Sequence, residues 1–148
     1  MREIKFRAWD TRKNKMWSPE EMGVDQLTLS PDGRGFINVN GQSTKLSTYL
    51  PHLIPEQFTG LCDDNKIEIY KGDVLRLEAT DFKDKNHSWN GVVEFGNPNG
   101  TYSWGWQLRP IGEVNVNPDI LLWVETELPN VRCEIIGNVH ETEYVKGD

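Results

Sequence analysis

A chain of 148 residues with a formal net charge of −7 makes one domain or two very small ones, and a compact chain of about this size buries roughly 70% of the surface its unfolded form exposes. The acidic balance leaves few cations to neutralise a phosphate backbone, the electrostatic contribution that dominates non-specific nucleic-acid affinity. No apolar run approaches the about 18 residues of a membrane span, and Met1-Arg2-Glu3 leads into a strand pattern rather than a signal core, so a cytoplasmic protein without a membrane partner is expected.

The opening residues 2–9 alternate polar and apolar side chains, the period-2 pattern of a half-buried strand, and Met16-Trp17 reads as its partner. Ser18-Pro19-Glu20-Glu21-Met22 has the form of a helix start, with Ser18 at the N-cap, Pro19 at N1 and Glu21 at N3. Gly23 is expected to stop this helix within one turn. Residues 27–29 and 36–39 flank Pro31-Asp32-Gly33, which predicts a hairpin because proline presets φ and glycine admits positive φ. Asn40-Gly41 suggests another tight turn. Leu46, Tyr49, Leu50 and Leu53 fit helical spacing and predict a short helix ending before Pro55. Residues 1–55 are thus expected to form a small N-terminal β subdomain.

Residues 56–148 carry the rest. Strands are predicted at 58–61, 67–70 and 74–77, punctuated by Gly60, by Asp63-Asp64-Asn65 and by Gly72-Asp73. Gly72 is placed where a reversal calls for positive φ. Residues 79–90 are polar and read as a flexible connection. A strand at 91–96, a turn at Asn97-Pro98-Asn99-Gly100 and a returning strand at 102–108 follow, then a loop to Asp119 and final strands at 120–125 and 133–139. Short strands separated by Gly, Pro and Asn indicate a mainly β fold with little helix, either a barrel or a strongly curved sheet. The run from Gly72 to His140 has about the length of a five-stranded SH3-like barrel, a comparison by pattern only.

Tyr102, Trp104 and Trp106 lie at i, i+2 and i+4, so one strand face would present all three rings. Such rings stack bases or sugars as a ligand platform, or fill a core or subunit contact, which is the reading adopted. Gly105 between the tryptophans would let another backbone or a ligand approach closely. Asp63 to Val74 fails as a calcium loop, since Ile67 holds the fifth place, the sixth-place glycine is missing and Val74 holds the twelfth. The two acids instead predict a turn closed on its own backbone. His52, His87, His140, Cys62 and Cys133 show no zinc-ligand spacing, and His140-Glu141 has no second histidine four residues on. No metal or cofactor is expected, and the cysteines read as free thiols of a reducing compartment. No phosphate loop, nucleophile elbow or sequence-local catalytic pair is present, so catalysis is not expected.

Charge is uneven along the chain. Residues 1–19 hold Arg2, Lys5, Arg7, Arg12, Lys13 and Lys15 against Glu3 and Asp10, whereas residues 119–148 hold seven acids against Arg132 and Lys146. Ends of opposite sign can attract within a chain or between copies of it.

The stretch Phe58-Thr59-Gly60-Leu61, with Asp63, Asn65, Glu68-Ile69-Tyr70 and Gly72-Asp73-Val74, resembles the signature of the YopX-type proteins of phages and prophages. The opening residues 2–10 and the closing residues 134–141 resemble that family's ends. Lys66 departs from the pattern, which more often has glycine after the asparagine. The resemblance implies a small, mostly β, phage-encoded protein of unknown biochemical role, with Phe58, Gly60, Tyr70, Gly72 and Asp73 as structural signature and no catalytic residue to carry over. The expected function is accessory and by binding: a homo-oligomer whose acidic surface meets a basic protein partner. The alternative is a nucleic-acid or nucleotide binder that uses the basic end and the tryptophans.

Overall fold

The structure, a computed structural model, describes residues 3–38, 48–81, 83–100 and 105–141. It is mainly β, and the chain divides into two units, Met1–Phe58 and Thr59–Asp148. No helix among the described residues is long and apolar enough to cross a membrane.

In the first unit, β1 (Phe6–Asp10) pairs antiparallel with β2 (Lys15–Trp17), and Ala8 lies opposite Trp17. The N-terminal half of β6 (Leu53–Cys62) pairs along the other side of β1. Helix α1 (Pro19–Val24) starts as read from the sequence. The Ser18 hydroxyl accepts from the Glu21 N–H at 3.1 Å, and the Glu21 carboxylate accepts from the Ser18 N–H at 3.2 Å, closing a capping box. Gly23 does not end the helix, which runs on to Val24 with buried Met22 anchoring it. The chain leaves it through Gln26 at a φ of 57°.

A three-stranded antiparallel sheet follows, built from β3 (Leu27–Leu29), β4 (Phe36–Asn38) and β5 (Thr48–Leu50). The hairpin at Pro31-Asp32-Gly33 is present, with Gly33 at a φ of 73°. Val39 and the Asn40-Gly41 turn lie outside the described residues. The helix expected over 46–53 is not formed: from Thr48 onward the chain is β5, a turn at Pro51-His52 and then β6. Leu50 and Leu53 share one core because the chain turns between them, not because a helix brings them to one face. That core gathers Ala8, Met22, Phe36 and Leu53, with Phe6, Leu27 and Leu50 packed around it.

In the second unit the end of β6 meets β7 (Glu68–Tyr70). The Thr59 hydroxyl donates to the Ile69 carbonyl at 2.8 Å and accepts from the Leu61 N–H at 3.1 Å. The main sheet is antiparallel and strongly curled, with β8 (Asp73–Thr80), β9 (Asn86–Gly96), β10 (Gly105–Pro110) and β11 (Val131–Asn138) in the order β10-β9-β8-β11. It has four strands, and the described residues do not show the SH3-like closure. Leu77 lies opposite Trp89 on one side and Cys133 on the other, in a core with Ile69, Leu75, Val93 and Leu108.

Two expectations fail here for physical reasons. Residues 79–90 are not a loose connection: β8 reaches Thr80 and β9 starts at Asn86. Their polarity reflects an exposed hairpin tip whose backbone is nevertheless paired, and the Asp81 carboxylate closes the turn by accepting from the Lys83 and Lys85 N–H groups. Residues 120–125 hold a single 3-10 turn, Ile120–Leu122, instead of a strand. Asp119 caps it by accepting from the Leu121 N–H at 3.0 Å. Ile120 and Val124 both reach the core from positions four apart, a helical spacing.

Candidate functional site

The signature residues serve the backbone. Asp63 is buried, and its Oδ1 accepts from the N–H groups of Asn65 at 2.9 Å and Ile67 at 3.0 Å. Its Oδ2 accepts from the Ile135 N–H at 3.1 Å, on β11. Asp64 adds two bonds: its Oδ2 accepts from the Cys133 N–H at 2.9 Å, and its own N–H donates to the Cys133 carbonyl at 3.1 Å. The turn is the one expected, and it also covers the outer edge of β11, a strand that would otherwise offer open ladder groups. Lys66 sits in this turn at a φ of 66°, left-handed backbone that suits glycine.

Gly60 and Gly72 have φ of 86° and 90°, and Gly72 bonds to β9 through the Val93 carbonyl at 2.8 Å. The buried Asp73 carboxylate accepts from the Tyr70 N–H at 2.8 Å. Phe58 and Tyr70 are buried, with the Lys5 ammonium 4.8 Å from the Phe58 ring centre.

Of the aromatic strand, Tyr102 and Trp104 lie outside the described residues. Trp106 is half-buried on β10, packed against the core and edge-on to Phe95, with ring centres 5.1 Å apart. Gly105 takes a φ of 125°, and a Cβ there would meet no described atom within 4 Å. Its dihedral alone favours glycine at this position.

Both thiols are pushed toward their protonated form. Burial, with Asp64, Asp63 and Glu134 nearby, pushes Cys133 up to about 12. Burial and the charges of Glu125, Glu68 and Asp63 also raise Cys62. Both cysteines are free and hold their protons at neutral pH. Among the described residues no three His, Cys, Asp or Glu side chains are placed to hold a metal ion.

A cleft of about 460 Å³ lies in the first unit. Leu27, Leu50 and Leu53 give it apolar walls; Val24, Asp25 and Gln26 bring the end of α1 to it; Trp17 and Lys13 come from the β1–β2 hairpin, and Asn38 and His52 also line it. Asp10 lies at its base, only 1% exposed. Its Oδ1 accepts from the N–H groups of Arg12 at 2.9 Å and Lys13 at 3.0 Å, and its Oδ2 from the Trp17 indole at 3.1 Å. Burial pushes the carboxyl up, but the bonds from Lys13, Trp17 and Arg12 and the nearby His52 outweigh it and hold Asp10 below the usual carboxylate range. These bonds favour the ionised form of Asp10.

Beside it, the ammonium of Lys15 lies 4.2 Å and that of Lys13 5.7 Å from the Trp17 ring centre. The His52 carbonyl accepts from the Thr11 N–H at 2.9 Å, which fixes the turn, while the buried His52 Nδ1 has no hydrogen-bond partner among the described residues. The sequence gives no signal for this cleft. Asp10, Asp25 and His52 are far apart in the chain and share no spacing motif.

A family model described as YopX protein matches residues 5–144. Among solved structures, the crystal structure of protein EF1440 from Enterococcus faecalis is similar at 21% identity, with 97% of each chain covered and a TM-score of 0.51. At that identity the likeness speaks for the fold alone. No curated protein matches the chain.

Proposed function

This chain belongs to the YopX family, and from that premise we propose that it is a phage or prophage accessory protein acting in the bacterial cytoplasm by binding a partner rather than by catalysis. The observation that carries this reading is the contrast between an open cleft and chemically committed groups. Cys133 and Cys62 are held as thiols, while the carboxylates of Asp10, Asp63 and Asp73 are occupied by N–H donors. A cleft of about 460 Å³ is of the size that small ligands or single side chains fill.

The partner favoured by a chain of charge −7 is a basic protein segment, and copies of the chain would associate through their oppositely charged ends. The test is titration of the protein with a lysine- and arginine-rich peptide across a salt series. Binding that weakens as salt rises supports the reading; binding that ignores salt, or turnover of a bound substrate, overturns it. Light scattering at low salt should give a mass above one chain.

A second reading has an observation of its own. Lys13 and Lys15 both approach the Trp17 ring on one hairpin, and a base with its phosphate could use both a ring and cations. Tight binding of DNA or RNA that falls steeply with salt would favour it.

A further inference from the structure

We propose that the cleft of the first unit receives a guanidinium group, the side chain of an arginine on a basic partner protein; this rests on the binding reading above and names the chemistry of its site. Three observations converge. The charges at the cleft favour a cation: Asp10 is buried as an anion at the base, Asp25 stands exposed at the rim, and the last turn of α1 that ends there holds no basic residue. The walls Leu27 and Leu50 offer apolar surface to the aliphatic stem of an arginine, as such stems cover apolar surface elsewhere. The buried Nδ1 of His52 has no hydrogen-bond partner among the described residues; when the ring carries its proton on Nε2, this nitrogen is an acceptor without a donor, which is costly. A guanidinium carries five N–H donors in a planar fork, enough to serve the His52 nitrogen and the Asp25 carboxylate together.

Among the described residues Lys13 is the one lysine or arginine lining this cleft, and it gives the proposal its sharpest consequence. For a guanidinium occupant Lys13 is a repulsive neighbour, so its removal tightens binding. For a phosphate-bearing occupant Lys13 is the principal attraction, so its removal weakens binding. The sign of one substitution separates the two.

The test uses the whole chain and four blocked small probes: N-acetyl-arginine amide, N-acetyl-lysine amide, N-acetyl-citrulline amide and adenosine monophosphate. Site occupancy is read by NMR from the Trp17 indole N–H, assigned by its loss in Trp17→Phe, and from the His52 ring protons. The arginine probe should shift both signals, with the neutral citrulline probe about tenfold weaker. Asp25→Asn should weaken the arginine probe about two- to fivefold, and Lys13→Ala should tighten it by a similar factor. Stronger shifts with the lysine probe would overturn the guanidinium assignment in favour of an ammonium. Shifts with adenosine monophosphate that vanish in Lys13→Ala would make this an anion site. No shift with any probe would remove the cleft as a site. If basic-peptide binding then persisted unchanged in Asp25→Asn, the binding function would survive and only its location would fall.

Discussion

The two units treat their acidic side chains differently. In the second, Asp63, Asp64 and Asp73 are turned onto backbone N–H groups, and they close turns and cover the edge of β11. In the first, Asp10 is used the same way, but the exposed Asp25 lines an open cleft that is also lined by His52, whose Nδ1 has no partner among the described residues. The second unit also buries atoms without a partner among the described residues, Trp89 Nε1 and Gln107 Oε1 among them, yet neither residue lines its own smaller cleft of about 220 Å³. One family of residues thus builds structure in one place and leaves binding capacity in another. Only hydrogen-bond partners tell the two uses apart.

The contrast can be broken most forcefully at the core. Leu77 is fully buried between Trp89 and Cys133, so Leu77→Ala should cost about 2–5 kcal/mol. Chemical denaturation measures this, and a loss below about 1 kcal/mol would show a core far looser than described.

Next in size is the edge cover. Asp63→Ala removes a carboxylate that serves three N–H groups and should cost about 2–3 kcal/mol. It also uncovers β11, so light scattering should reveal added association at high protein concentration. A variant of parental stability and mass would mean that the acid does not guard that edge.

The carboxylate at the base of the cleft predicts a pH response. Because Asp10 is held below its ordinary value when folded, its contribution is fully present above the unfolded value of about 3.9. It is lost as pH falls through the lower folded value. Asp10→Asn should therefore lower the denaturation midpoint at pH 7 and flatten its decline below about pH 4. An equal acid decline in parent and variant would remove Asp10 from this role.

The smallest effect is at Lys66, whose φ of 66° strains an L-residue. Lys66→Gly should stabilise the turn by up to about 1 kcal/mol. A destabilised variant would show that the lysine side chain matters more than its backbone.

Local punctuation was legible in the sequence. Ser18 to Glu21 announced a helix start, Pro31 to Gly33 a hairpin, Gly72 a positive φ, and Asp63 a self-closed turn. Each is a short-range signal, because the groups that bond are a few residues apart. The misreadings came where tertiary contacts override spacing. Leu50 and Leu53 reach one core through a turn, and Ile120 and Val124 do so through a 3-10 turn that their neighbours disguised as strand. The cleft was invisible for a stronger reason: His52 and Asp25 acquire meaning only when β5, α1 and the first hairpin are assembled. The family signature was easy to find and carries little chemistry, since its acids are occupied by backbone.

The clamp between Asp63-Asp64 and β11 also has a temporal side. Its side-chain bonds join residues 69 and 72 positions apart, so a chain emerging from the ribosome at about 5–20 residues per second leaves those long-range bonds unmade for several seconds. During that interval β8 has no partner along the side that β11 will occupy. Contacts of such long sequence separation also slow refolding from denaturant. The nascent chain therefore passes through a window of vulnerability to neighbouring chains that the completed fold no longer has.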